Sequence, residues 1–250
     1  MKNHPKKRAF FKRLCSTIPP KFVCQSLFLL FLYSPTTAFS QDGWKLGLGN
    51  SVTRYKFFDS KGAPITFLKQ GSGNSIFISK ESAVIDTSSF IGQTTERAVY
   101  FLNHELLTKL LTHVTYELGL NFNQYNSVGD IQKIPVNYQT NYLGILAGAG
   151  PYSHVLNGFY LSIKANISLQ KIIQGTQQLN NQFVDLMDEP EFNRVMIFLG
   201  YSATLTKNLA NGLSLFVQAQ QSQSYHKWVE GQENLNFSAV NFSFGLKIGK

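Results

Sequence analysis

A histidine, a carboxylate and a hydroxyl within reach of one another are the minimal parts of a nucleophilic hydrolase, and the chain places His113 and Glu117 four residues apart. In an extended strand that spacing puts both side chains on one face. Each could then orient the other beside a Ser or Thr, as in lipid hydrolases and acyltransferases. Two residues at this spacing do not define a triad, because nothing fixes a nucleophile beside them. The competing reading is structural: Glu117, His113, Lys45, Lys164 and Lys247 neutralise and hydrogen-bond one another in a closed interior, as buried charges require. Without a placed nucleophile, the sequence favours the structural reading.

Other chemical signatures are weaker. His104-Glu105 opens like a zinc-protease helix but continues as HELLT, without a second histidine one turn on. The remaining histidines, His4, His154 and His226, are scattered, so the sequence implies no metal and no cofactor. Gly47, Gly49, Gly144, Gly148 and Gly150 alternate with apolar residues and precede no helix start, which fits relief of crowding inside a barrel better than a phosphate loop. Asn166-Ile-Ser, Asn236-Phe-Ser and Asn241-Phe-Ser match the glycosylation pattern by chance and receive no function.

The elements that must carry these residues are strands. Val114, Tyr116, Leu118, Leu120 and Phe122 alternate with His113, Thr115, Glu117, Gly119, Asn121 and Asn123. One face is apolar and the other polar. The pattern returns in Phe159, Leu161, Ile163, Ala165, Ile167 and Leu169, and again in Val240, Phe242, Phe244, Leu246 and Ile248. Trp44, Leu46 and Leu48 supply a first strand able to pair with the last. Further candidates are Ile134, Val136, Tyr138; Leu143, Ile145, Ala147; residues 195–205; residues 213–219; and, most weakly, residues 97–107.

Composition narrows the class. The chain has 250 residues and a formal charge of +9, but seven of its 23 Lys and Arg lie in the first 26 residues, where there is no acid. That start, the apolar run from residue 27 to 33, and Ala38-Phe39-Ser40 predict a signal peptide over residues 1–40, cleaved before Gln41. The remaining 16 basic residues stand against 14 acids, so a nucleic-acid partner loses its basis. Cys15 and Cys24, the two cysteines of the chain, both precede the cleavage point. No disulfide, thiolate metal site or cysteine nucleophile is expected in residues 41–250.

Loop spacing predicts short connections at 107–111, 139–142 and 207–212 (KNLANG) on one side. Longer ones are expected at 58–96, 126–130, 154–192 and 224–234 on the other, as in transmembrane barrels. Within the long loops, residues 76–78 and 159–169 read as strand extensions or an added hairpin, and residues 174–190 as an exposed tip. Trp44, Tyr55, Tyr125, Tyr138, Tyr142, Tyr152 and Tyr201 fall near strand ends, the positions of interfacial aromatic girdles.

KIPVNYQTNYLGILAGAGPY, residues 133–152, resembles a hairpin of the PorT-like outer-membrane β-barrel family. FLGYSATLTKNLANGLSLFVQAQQS, residues 198–222, resembles that family's late hairpin, and FSFGLKIGK its closing strand. The resemblance implies an outer-membrane barrel and, for some members, a part in protein secretion and cell-surface assembly. The last residue, Lys250, differs from the terminal aromatic that many barrels offer to the barrel assembly machinery, although Phe242 and Phe244 lie on the apolar face.

The resulting expectation is an all-β, closed antiparallel up-and-down transmembrane barrel of about eight strands over residues 41–250, with a ten-strand count open. It would lie in the outer membrane, meet outer-membrane lipid and the barrel assembly machinery, and act without catalysis. Its outer loops 58–96 and 154–192 would bind an envelope protein or glycan. Two alternatives stand beside it: a barrel enzyme acting on outer-membrane lipid through His113 and Glu117, and a soluble periplasmic β-barrel that binds an apolar ligand with its greasy face turned inward.

Overall fold

The computed structural model describes residues 42–83, 114–131, 133–156, 158–209, 211–226 and 231–249. The expected signal peptide, His104, His113, the weak strand at 97–107 and the turn at 107–111 lie outside them.

Eight long strands form a closed ring: β1 (Gly43–Phe58), β3 (Leu68–Ala83), β4 (Val114–Ile131), β5 (Ile134–Leu156), β6 (Phe159–Leu179), β8 (Met196–Asn208), β9 (Leu213–Tyr225) and β10 (Asn234–Gly249). Each pairs antiparallel with its neighbour, and β10 closes on β1 in one uninterrupted register from Gly43↔Gly249 to Phe58↔Asn234. Two short strands, β2 (Pro64–Ile65) and β7 (Gln182–Asp185), extend hairpins without entering the ring.

The eight-strand ring agrees with the sequence reading, but its membership differs. Residues 134–138 and 143–147 belong to one strand, so there is no turn at 139–142, and 126–130 lies within β4. Conversely, β3 and β6 occupy much of what the spacing assigned to loops 58–96 and 154–192. Most of 174–190, expected as an exposed tip, is a hairpin whose second strand, β7, is exposed throughout. The connections at 207–212 and 224–234 do join strands, at opposite ends of the barrel. Asn211 and Gly212 both adopt left-handed backbone (φ 60° and 75°), the conformation an Asn-Gly hairpin turn requires.

A change of face along several strands, clearest in β1, β4, β5 and β10, explains these differences. Along β5 the even positions point inward throughout. Near the Gly43 end, the outward residues are Leu143 and Ile145; near the other end, the apolar side chains are the inward Val136, Tyr138 and Tyr142, while Asn137, Gln139 and Asn141 face out. The apolar parity therefore switches from even to odd within one strand, which mimics a turn in the sequence. β6 repeats the exchange, with Ile163, Ile167 and Leu169 exposed below and Ile172 buried above.

The barrel consequently has two zones. Around the half nearest Gly43 runs an exposed apolar belt that includes Trp44, Leu46, Ile78, Leu118, Ile145, Ile163 and Phe244, with Ile145 and Phe244 each 61% exposed. The opposite half has polar outer walls around a buried cluster of Tyr55, Tyr125, Tyr138, Tyr142, Phe192, Phe198 and Phe237. Tyr55, Tyr125, Tyr138 and Tyr142, expected in an interfacial girdle, thus belong to the core, because they sit on inward-facing positions. Trp44 and Tyr201 do point outward.

Candidate functional site

The belt encloses charges. Lys45, Glu81, Glu117, Lys164 and Lys247 project from five different strands into the bore, and both carboxylates are 4% exposed. Lys164 contacts Glu81 and lies 2.5 Å from Glu117 Oε2, bridging the two carboxylates. Lys247 donates to Glu81 Oε1 at 2.6 Å, and Lys45 to both oxygens of Glu117 at 3.3 Å. Ser79 Oγ donates to Glu117 Oε1 at 2.5 Å. The rings of Phe77 and Phe216 flank Lys45 Nζ at 5.6 and 4.9 Å, adding cation–π attraction on the sides without a carboxylate. Gly47 makes room for this packing: a Cβ there would come within 2.3 Å of the Phe77 ring.

The structure brings together Lys45, Glu117, Lys164 and Lys247, which the sequence singled out, and adds Glu81. His113 lies outside the described residues. Glu117 accepts bonds from Lys45, Lys164 and Ser79. Its oxygens are committed to cations and a hydroxyl inside the bore, so this geometry holds charge in place rather than presenting a carboxylate to a lipid substrate. No group of three or more His, Cys, Asp or Glu suited to a metal occurs among the described residues.

Above the charges, Asn121, Asn123, Ser168 and Gln170 form a hydrogen-bonded layer. A neighbouring cavity of about 10 Å³, lined in part by Tyr125, Gln170, Phe198 and Asn241, is room for one water at most. Tyr125 then stacks on Phe198 and Phe237 with centroids 5.2 and 5.3 Å apart, and Tyr55 meets Phe237 edge-on at 4.7 Å. The segment between β7 and β8 folds over this aromatic layer, burying Leu186 and Phe192. Tyr142 Oη donates to Phe192 O at 3.0 Å, while Arg194 Nη2 donates to Asn234 Oδ1 and Leu235 O at 2.8 and 2.7 Å, tying the segment to β10.

No protein-family model matches the chain, and no curated protein matches it in sequence. Among solved structures, similarity is found to Neisserial surface protein A, at 12% identity and a TM-score of 0.42 over 83% of this chain and 97% of that one. The attachment invasion locus protein Ail of Yersinia pestis, solved with the heparin analogue sucrose octasulfate, is similar at 11% identity and a TM-score of 0.38, covering 83% of this chain and 99% of Ail. The chain's own closed hydrogen-bonded ring defines the fold.

Proposed function

We propose that the protein is an outer-membrane β-barrel without catalytic activity, sealed to diffusion, whose projecting wall binds another component of the cell envelope. The observation that carries this reading is the exchange of faces along the strands. An apolar belt around charged residues suits lipid outside and a polar bore, whereas polar walls around an aromatic core suit water outside. The outward apolar run on β6, residues 161–169, matches the roughly 9–11 residues of a tilted membrane crossing. The remainder of β6 and its partners would stand clear of the bilayer. A soluble periplasmic barrel would expose this belt to water, where monomeric proteins rarely tolerate so large an apolar surface.

The projecting half has the rigidity of a packed core, which lowers the entropic cost of engaging a partner. Residues 134–152 run as one strand and carry no hairpin, whereas the resemblance of residues 198–222 to the late hairpin of PorT-like barrels, which β8 and β9 do form, favours a role in secretion or cell-surface assembly. Fractionation and cysteine labelling test the reading together, because introduced thiols can be followed once Cys15 and Cys24 are removed with the signal peptide. We expect outer-membrane recovery with heat-modifiable gel mobility. A membrane-impermeant maleimide should label Gln139→Cys on intact cells and leave Ile145→Cys unlabelled. Recovery in the soluble periplasm, or equal labelling of both positions, would overturn it.

A further inference from the structure

The top of the wall ends in a strand with one edge open among the described residues. β7 pairs with β6 alone among the described residues, through Leu179↔Gln182, Gln178↔Phe183, Gln177↔Val184 and Thr176↔Asp185. Asn180 and Asn181 both have left-handed backbone (φ 48° and 61°), so the hairpin turns in two residues. In such a hairpin the pairs alternate between hydrogen-bonded and non-hydrogen-bonded. Leu186 N–H donates to Gly175 O at 3.0 Å, which fixes the phase: Gln182, Val184 and Leu186 turn their amides toward β6. The N–H and C=O groups of Phe183 and Asp185 therefore point to the open edge.

Three features single out this edge. Phe183 is 72% exposed, the largest exposure of any described Phe, Tyr or Trp. The edge lacks the devices that usually protect one, having no Lys, no Pro and no covering strand in β7. Residues 174–193 also contain Asp185, Asp188, Glu189 and Glu191 and no Lys or Arg. That charge would set two copies of β7 against each other, and it favours a cationic occupant.

We infer that β7 is a docking edge at which an extended, basic segment of a partner protein adds as an antiparallel strand. This rests on the proposal that the wall projects from the membrane and deepens it by giving the partner's chemistry. Main-chain bonds to Phe183 and Asp185 supply the attachment, and cross-strand pairs supply the choice of sequence. The residue opposite Asp185 is basic, and the one opposite Phe183 is apolar. Because the added strand runs antiparallel, its sequence reads basic-x-apolar from N to C.

The test uses the full-length barrel in detergent and fluorescent peptides. One reads Thr-Thr-Lys-Thr-Val-Thr-Thr, a second has Glu in place of Lys, and a third exchanges Lys and Val. The first should bind saturably and most tightly. Asp185→Asn, which keeps an acceptor for Met187 N–H, should weaken it about two- to fivefold, the size of one cross-strand pair. Phe183→Pro should abolish binding while sparing the β6 pairing, since that amide points away from β6. Equal affinity for all three peptides, or no saturable binding into the millimolar range, would overturn the inference. If Gln139→Cys is labelled on cells while the peptides fail, the projecting wall stands and only the docking edge falls.

Discussion

Glu117 and Glu81 hold three ammonium groups between them, so the cluster carries one more cation than anion. Removing a carboxylate leaves buried lysines without compensation, whereas removing one lysine balances the set. Glu117→Gln should therefore cost about 3–5 kcal/mol, the usual consequence of breaking a buried pair. Lys45→Met should cost much less, because Lys45 makes the longest contacts in the cluster and lies against Phe77 and Phe216. Urea midpoints of the folded band on unheated gels would rank the two variants. An equal loss would mean that the surplus cation is compensated elsewhere. Four of the five charged residues were legible because each lies in a clear alternating run. Glu81 was hidden because the polar outward Ser72 and Asn74 shorten the apolar signal of β3 to Ile76 and Ile78. The inward series Gly71, Gly73, Ser75, Phe77, Ser79 and Glu81 was the available clue, a row of mostly small or polar residues in constant phase.

Among the elements, the segment between β7 and β8 has a pH dependence of definite sign. Burial raises the Glu191 carboxyl above the usual carboxylate range, and the nearby Glu189 and Glu233 add to the shift against the opposing pull of Arg194. A raised acid favours the protonated form when the segment is docked. Docking should be strongest below the ordinary carboxylate range and weaken as pH rises through the raised value. Limited proteolysis of the segment should accelerate over that interval, and Glu191→Gln should flatten the profile; an unchanged profile in that variant would assign the effect elsewhere. β5 shows why element boundaries were harder to read than element type. Period two was plain at both ends of the strand, but a reading that keeps the apolar face on one side must insert a turn where the apolar residues pass from the outer to the inner face. Tyr138, Thr140 and Tyr142 continue inward through that point without a break.

For the molecule as a whole, the bore is closed twice, by the charge cluster and by the aromatic layer. Reconstituted into planar bilayers, the protein should give no steady open conductance. Deleting residues 186–193 should not open it, because Tyr125, Phe198 and Phe237 still cross the bore beneath that segment. Steady channels in the deletion variant would show that the segment, not the aromatic layer, makes the upper closure. Closed topology was legible from the paired patterns of β1 and β10. The double zoning was not, since it depends on which residues face inward at each height, and period two alone does not orient the faces.

The uninterrupted ladder from Gly43↔Gly249 to Phe58↔Asn234 also sets an order of assembly. These two strands are the first and last of the ring, so their union must await synthesis of nearly everything between them. Until then, two long rows of unsatisfied amides and carbonyls remain at the margins of a growing curved sheet. The nascent protein thus depends on protection until its final strand arrives, and a chain interrupted before residue 234 would retain a permanent seam, open to mispairing with its neighbours.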